Sequence, residues 1–436
     1  MDIRDLKGKK VAIVGYGVNH ASLVLYLLKN KIENLTILDQ NESKKELIDK
    51  DLKQYFGKYQ TILGKNYLNN LSDFKIIFRT PGIPYLLKQI QTAKKAGTII
   101  YSQTKLFFDL CPAKIIAVTG TKGKGTTSHL IYNILKDNLS VKVYLAGNFG
   151  KDPFDFIDEI RHEDIVILEL SSFQLQDLEK SSHIAVITPI TPDHQDRHKS
   201  IKEYWQAKLN LIRFQTKRDF AIICRDSNLS KKIKWLTKAQ KIFYSSKDNL
   251  ISGYPKQFIG LHNKQNINGA INVARILHVA DAKIIASLMK IKPLEHRLEF
   301  VVEKNGKKYY NDSYSTGPDS TIAGINCFNK KIILICGGVD KGFDYIKLVK
   351  KIGKKIDTAI IYGQNKNLIV GLMKKYAKKT NLIICENLAE AVKCANDINL
   401  NDGLVLFSPA SASFDQFKNA SERGETFKQL VKNVKT

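Results

Sequence analysis

The segment of this 436-residue chain best suited to chemistry is Thr119-Gly120-Thr121-Lys122-Gly123-Lys124-Gly125-Thr126-Thr127, which follows the apolar run Ile115-Ile116-Ala117-Val118. Backbone N–H groups in a glycine loop at a helix N-terminus can surround phosphate oxygens, and a lysine adds a positive point charge. Lys124 is the candidate for the β- and γ-phosphates, and Thr126 for a hydroxyl directed at a metal. The full pattern G-x-x-x-x-G-K-[ST] is not met, because Val118 takes the first glycine position and Gly125 follows the lysine. An ordinary Gly/Lys turn is the competing reading.

Groups suited to a hard cation lie downstream. Glu169 closes the apolar run Ile165 to Leu168 and precedes Leu170-Ser171-Ser172-Phe173-Gln174, while Thr191-Pro192-Asp193-His194-Gln195-Asp196-Arg197-His198 follows Ile184 to Thr188 in the same way. Mg²⁺ takes carboxylate, water and phosphate oxygens, sometimes with an imidazole, which makes Glu169 and His194 candidate ligands. Standing alone, Asp193-His194 would read rather as a turn and helix cap; the phosphate loop upstream tips the reading to a metal.

Upstream, Gly15-Tyr16-Gly17-Val18-Asn19-His20 misses the dinucleotide pattern at its third glycine, where His20 stands. Asp39 ends the next run, where a carboxylate can accept a ribose hydroxyl. Nucleotide binding and a tight structural turn share this pattern. Arg79-Thr80-Pro81-Gly82-Ile83-Pro84 follows another apolar run and is suited to line the same crevice. Toward the C-terminus stand His296-Arg297-Leu298-Glu299, Asn311-Asp312-Ser313-Tyr314-Ser315-Thr316-Gly317, Asp340-Lys341, and Ser408-Pro409-Ala410-Ser411-Ala412-Ser413-Phe414-Asp415-Gln416-Phe417-Lys418-Asn419. Small hydroxyls and a lysine at strand ends suit an anionic, amine-bearing small molecule, with a solvated loop as the alternative for each.

Positioning such groups requires strands whose carboxyl ends open onto them. Val11 to Val14, Ile115 to Val118 and Ile332 to Cys336 each precede glycines. A continuous apolar run reads as a parallel strand buried on both faces, and a glycine turn at its carboxyl end is where α/β sheets bind ligands. Leu35 to Leu38, Lys75 to Phe78, Ile165 to Leu168, Ile184 to Thr188, Phe220 to Cys224, Thr358 to Tyr362 and Gly403 to Phe407 fit further strands. The expected architecture is α/β, with three domains in series at 1–102, 103–293 and 294–436.

Composition adds exclusions. With 43% hydrophobic and 25% charged residues the chain is of ordinary globular type. Its net charge of +27 invites a polyanion partner, but the excess is dispersed as lysine pairs such as Lys44-Lys45 and Lys354-Lys355, and no basic patch interleaved with aromatics occurs. No apolar run approaches the ~20 residues that span a bilayer, and Met1-Asp2-Ile3-Arg4-Asp5 is no secretory leader, so a cytoplasmic protein is expected. The six cysteines form no CxxC pair and read as reduced core thiols.

Taken together, the glycine turn at Gly15, Thr80-Pro81-Gly82, Thr119 to Thr127, Gly147-Asn148, Glu169 to Gln174, Asp193-His194, Gln206-Ala207-Lys208-Leu209, Gly260-Leu261-His262-Asn263, His296-Arg297, Asn311-Asp312-Ser313 and the C-terminal Ser408 to Asn419 segment resemble the Mur ligase family over essentially the whole chain. The resemblance is strongest to its D-glutamate-adding branch. It implies a Rossmann-like N-terminal domain, a central P-loop-type ATPase domain with a mostly parallel sheet, and a C-terminal Rossmann-like α/β domain. The implied activity is ATP-dependent amide ligation of D-glutamate to UDP-N-acetylmuramoyl-L-alanine through an acyl phosphate, in peptidoglycan precursor synthesis.

The same resemblance implies roles for individual residues. Gly15, Gly17, Asp39, Thr80, Gly82 and Asn148 would serve the UDP-sugar. Gly120, Thr121, Lys122, Gly123, Lys124, Gly125, Thr126 and Thr127 would hold ATP phosphates, with Asn263, Arg297 and Asp312 also on ATP, and Thr316, Lys341, Ser413 and Phe414 would take the amino acid. Thr126, Glu169, His194 and a carbamylated Lys208 would serve two Mg²⁺ ions, with Lys124, His194 and Lys208 catalytic. The D-glutamate-adding branch usually has Ser or Thr where Gly125 stands, and Gly-Lys-Gly-Thr is more like the folylpolyglutamate synthases; many family members have Lys at Tyr314, and an aromatic often stands at Ala420. A monomer acting on small molecules is implied, with no nucleic-acid or membrane partner. Rival readings are addition of another amino acid such as L-glutamate, or a basic P-loop ATPase acting on nucleic acid.

Overall fold

Runs of β-branched and aliphatic residues that hide both faces pair in parallel, because helices can then cover each face of the sheet. The computed structural model describes residues 1–148, 150–191, 198–227, 233, 235–400 and 402–434, and among them such runs build three sheets. In the first, β1 (Val11–Val14), β2 (Leu35–Asp39), β3 (Gln60–Leu63), β4 (Ile76–Arg79) and β5 (Ile99–Ser102) take the order β3-β2-β1-β4-β5, all parallel. In the second, β6 (Lys114–Thr119), β7 (Val143–Gly147), β8 (Ile165–Glu169), β9 (Ile184–Ile187), β10 (Phe220–Cys224) and β11 (Gln240–Tyr244) are parallel in the order β11-β10-β9-β6-β8-β7.

The third sheet holds β12 (Glu299–Lys304), β13 (Lys307–Asn311), β14 (Ile332–Gly337), β15 (Thr358–Tyr362), β16 (Asn381–Ile384) and β17 (Gly403–Phe407), in the order β12-β13-β17-β14-β15-β16. Here β12 runs antiparallel to β13 and the remaining neighbours are parallel. The chain is therefore α/β, with two parallel sheets and one mixed sheet. In each sheet the strand that precedes glycines, β1, β6 or β14, is the one where the order reverses, which is where open α/β sheets leave a crevice for ligands.

By packing density the chain forms two compact units, Met1–Ile251 with Gln265–Met289, and Ser252–Lys264 with Lys290–Thr436; the division falls within the helix Leu261–Ile276. Inside the first unit one apolar cluster runs without interruption from the first sheet to the second. Phe154 anchors it, with ring centroids 5.1 Å from Tyr26 and 6.0 Å from Phe107. Burying such a ring contributes about 1.5–3 kcal/mol, so the first two sheets share a core. In the second unit the third sheet has a separate core on each face, one around Leu334 and Ile352, the other around Ile335 and Phe427. All six cysteines are free thiols, and burial pushes Cys224, Cys327 and Cys336 up to about 12. Among the described residues no helix is long and apolar enough to cross a membrane.

Candidate active site

Because β6, β8 and β9 are almost wholly buried, polar side chains emerge where they end. The loop after β6 runs through Gly120 to Gly123, the N-cap of the helix Lys124–Asn138, whose first N–H groups face the loop. Gly120 is required by contact: a Cβ there would lie 1.9 Å from Thr188 Oγ1. That hydroxyl donates to the Lys122 carbonyl at 2.7 Å, and Thr121 donates to the Thr191 carbonyl at 2.9 Å. The loop is thus pinned on the segment that leaves β9, to which the Thr121 N–H also donates, at the Pro189 carbonyl, at 2.8 Å.

Three candidate charged groups come together around it. Lys124 Nζ donates to the Thr121 carbonyl at 3.2 Å and stands 4.0 Å from Glu169 Oε1. Glu169 lies opposite Val118 and Gly147 in the sheet, and its carbonyl accepts the Asn148 N–H at 2.8 Å, which ties the candidate metal and substrate segments together. Lys208, on the helix Ile201–Arg213, is buried; its Nζ donates to the Gly120 carbonyl at 2.7 Å and lies 4.8 Å over the Tyr204 ring. Thr126 and Thr127 are buried in the first turn of the phosphate-loop helix. His194 and Asp193 lie outside the described residues. His198, quoted above only as the end of its segment, is buried, hydrogen-bonded to Ser172 at 3.0 Å and stacked on Phe173 with centroids 5.0 Å apart.

A Mg²⁺ ion needs about six hard oxygens and tolerates water and phosphate among them. Among the described residues no three His, Cys, Asp or Glu side chains gather into a ready cage. Glu169 and Thr126 fit an ion that draws its other ligands from nucleotide phosphates and water, whereas Lys208 as an ammonium fits only after conversion to an anion.

At the first sheet, Gly15 packs so closely that a Cβ would meet Thr80 Cγ2 at 2.3 Å, and this joins the two candidate turns. Gly17 is the N-cap of the helix Val18–Lys29, and Gly82 lies in the turn beyond Thr80. Asp39 accepts from the Tyr16 N–H at 2.7 Å, the Asn41 N–H at 2.9 Å and the Lys44 ammonium at 2.7 Å. His20 is buried with Nδ1 2.8 Å from the Gly15 carbonyl, and burial pushes it down to about 4, so it is neutral at pH 7.

The second unit gathers its own set. Asp312 accepts from the Ser408 hydroxyl at 2.8 Å, the Ser315 hydroxyl and the Leu298 N–H at 3.3 Å. Burial outweighs these bonds and the nearby Arg297 charge, so its carboxyl is pushed up to about 6. Arg297 is exposed over the Tyr314 ring at 5.1 Å. Lys341 lies 5.9 Å over the exposed Phe414 ring, Ser413 beside it is buried, and Thr316 is half-buried. Asn263 is buried and donates to the Ile259 carbonyl at 2.9 Å. Sequence reasoning missed Arg423, which is fully buried and donates to Ser313 Oγ at 3.1 Å, the Ser313 carbonyl at 2.8 Å and the Ser411 carbonyl at 3.0 Å. It fixes the two candidate loops to each other, and nothing in its surroundings in sequence marks it.

Comparison with known proteins agrees along the length of the chain. The MurD-like N-terminal domain of Mur ligases matches residues 9–102, the Mur ligase middle domain residues 118–267, and the Mur ligase glutamate ligase domain residues 296–411. The UDP-N-acetylmuramoylalanine--D-glutamate ligase of Acetivibrio thermocellus is 37% identical, covering 99% of this chain and 98% of its own. The enzyme of that name from Clostridium acetobutylicum is 36% identical with the same coverage. Among solved structures, MurC of Thermotoga maritima superposes with a TM-score of 0.58 at 17% identity, covering 98% of this chain and 100% of its own. MurF of Acinetobacter baumannii superposes at 0.60 and 16%, covering 98% and 92%, and both likenesses concern the fold.

The raised Asp312 carboxyl has a signed consequence. Its folded value of about 6 exceeds an unfolded value near 4, so the folded state retains a proton between them, and the corresponding stability falls as pH rises from about 4 to about 6 and is flat above. Asp312→Asn should remove that slope. Urea unfolding of both proteins from pH 4 to 7 checks this: the variant gains relative to the parent as pH rises to about 6, and a difference independent of pH would contradict the assignment.

Proposed function

We propose that this chain, which belongs to the Mur ligase family, joins D-glutamate to UDP-N-acetylmuramoyl-L-alanine at the expense of ATP, in the making of peptidoglycan precursors. The observation that carries this reading is the convergence of Lys124, Glu169 and Lys208 on the loop Gly120 to Gly123. Fold likeness alone would not distinguish a ligase from another nucleotide-binding protein. Identity at 37% across the whole of a D-glutamate ligase specifies the amino acid.

A carboxylate is a poor electrophile, so the alanyl carboxylate first attacks the γ-phosphorus of ATP. One P–O bond forms, the bond to ADP breaks, and an acyl phosphate results. The D-glutamate amine then attacks the acyl carbon, and the C–O bond breaks as inorganic phosphate leaves with the oxygen the carboxylate supplied. The loop Gly120 to Gly123 and the first turn of the helix that follows it hold the phosphates through amides other than those of Thr121 and Thr127, which donate to the Pro189 and Gly123 carbonyls at 2.8 and 2.9 Å, and Lys124 offsets the negative charge gathered at the transferring group. When bound, Mg²⁺ supplies charge neutralisation and a common frame for the reacting oxygens. We assign two such ions to Glu169, Thr126, His194 and a carbamylated Lys208. Carbamylation turns the buried ammonium into an oxygen-bearing anion.

Gly15, Gly17, Asp39, Thr80, Gly82 and Asn148 are assigned to the sugar nucleotide. Asn263, Arg297 and Asp312 are assigned to ATP, and Thr316, Lys341, Ser413 and Phe414 to D-glutamate. The modules are assigned as 1–102, 103–293 and 294–436, in a monomer that works in the cytoplasm. Asp39 would keep its bonds to Tyr16 and Lys44 while accepting from a ligand, since a carboxylate has about four lone-pair sites.

With purified protein, phosphate release from ATP should require Mg²⁺, the sugar nucleotide and D-glutamate together. L-glutamate and D-aspartate tested beside it should give far lower rates, and inactivity with all three would refute the reading. Lys208→Ala should lose activity by roughly a hundredfold or more, as removal of a charge-stabilising group does, and regain part of it with short carboxylic acids. Full activity in the variant would remove Lys208 from the site.

A further inference from the structure

Arg79 ends β4, and its side chain is 1% exposed, although arginine is rarely fully buried without partners. One guanidinium holds two segments. Its Nη1 donates to the carbonyls of Thr80 at 3.2 Å and Ile83 at 2.6 Å, closing the turn Thr80 to Ile83. Its Nη2 donates to the Phe173 carbonyl at 3.2 Å and pairs with Asp177, itself 4% exposed, at 3.4 Å. Phe173 and Asp177 belong to the stretch that leaves β8 after Glu169, where Ser171 caps the short helix Ser172–Leu175 through a reciprocal bond with Gln174. The Tyr85 ring covers the guanidinium at 5.7 Å.

The two segments belong to different sheets within one compact unit, so the bond crosses the seam between them. The turn carries Thr80, against which Gly15 packs, and the stretch begins at the carboxylate that stands 4.0 Å from Lys124. Within the functional reading above, on which this inference rests, one segment serves the sugar nucleotide and the other the phosphates. We propose that Arg79 is a positioning residue that sets the acceptor carboxylate in register with the γ-phosphate, with Asp177 as its counter-ion. Its planar fork is what the task requires: a lysine is a point charge and cannot serve two carbonyls on one side and a carbonyl and carboxylate on the other. The bonds of the Arg79 guanidinium go to Thr80, Ile83, Phe173 and Asp177 and not to the loop Gly120 to Gly123, so its replacement should leave the KM for ATP little changed.

The test uses full-length Arg79→Lys and Asp177→Asn, with steady-state constants for each substrate and thermal unfolding. The expected result for Arg79→Lys is a roughly ten- to hundredfold fall in kcat/KM for the sugar nucleotide, the scale of a misplacement of about 1 Å, with kcat lowered and the ATP KM within about twofold of the parent. Asp177→Asn keeps the shape of its site and should move the same two constants in the same direction by less. It supplies the same readout should Arg79→Lys fail to fold, and the double variant should be non-additive. A KM for ATP that rises as much as the KM for the sugar nucleotide, or activity falling only in proportion to the folded fraction, would overturn the inference. A parent protein that does not turn over these substrates would instead overturn the functional reading, and the two failures are distinguished by that control.

Discussion

The chemistry of this protein is confined by the burial of its strands on both faces. β1, β6, β8, β9 and β14 expose almost nothing along their lengths, so a polar group can leave the sheet only at its end. That constraint puts Glu169 at the end of β8, beside the loop that follows β6, without any special device. It also creates a steric problem, since adjacent strand ends crowd one another, and Gly120 is the solution: with a side chain it would strike Thr188, which itself holds the loop by its hydroxyl. Lys208 then reaches the same loop from a helix, on the Gly120 carbonyl.

The same constraint decided what was legible in the sequence. Phe220–Cys224, Thr358–Tyr362 and Gly403–Phe407 coincide with their expected bounds, because a strand buried on both faces writes an unbroken apolar run. Edge strands do not. β3 and β11 are partly exposed and mix polar with apolar residues, and β16 carries only a short apolar run, Leu382 to Ile384, that is itself partly exposed. The hairpin of β12 and β13 was hidden by its lysines, of which Lys307 is nevertheless buried, with its ammonium on the carbonyls of Ala395, Asn396 and Ile398. Candidate site residues in motifs, such as Lys124 and Glu169, stood out in the sequence by spacing, and the structure brings these two within 4.0 Å. Arg79 and Arg423 were not, since an isolated arginine reads as a surface charge; the apolar run immediately before Arg79 was the only available hint.

Charge acts on two scales. The surplus of +27 is mainly lysine at the surface, where a pair such as Lys29 with Asp158 contributes little and is screened within a Debye length of about 8–10 Å. It favours the approach of anions and specifies none of them. The few interior charges are different, because a buried ion is tolerated only with partners that answer it. Arg423 between two loops of the second unit, and Arg79 across the seam of the first, each bind several carbonyls and hold segments that lie far apart in sequence.

At this sheet edge a phosphoryl group passes to a carboxylate before the amide forms. This transfer is tested most directly by supplying UDP-N-acetylmuramoyl-L-alanine with the heavy oxygen isotope in both carboxylate oxygens, then weighing the released phosphate. One heavy oxygen in each phosphate and one retained in the amide is the expected result. Phosphate free of the label, with the amide still formed, would contradict it.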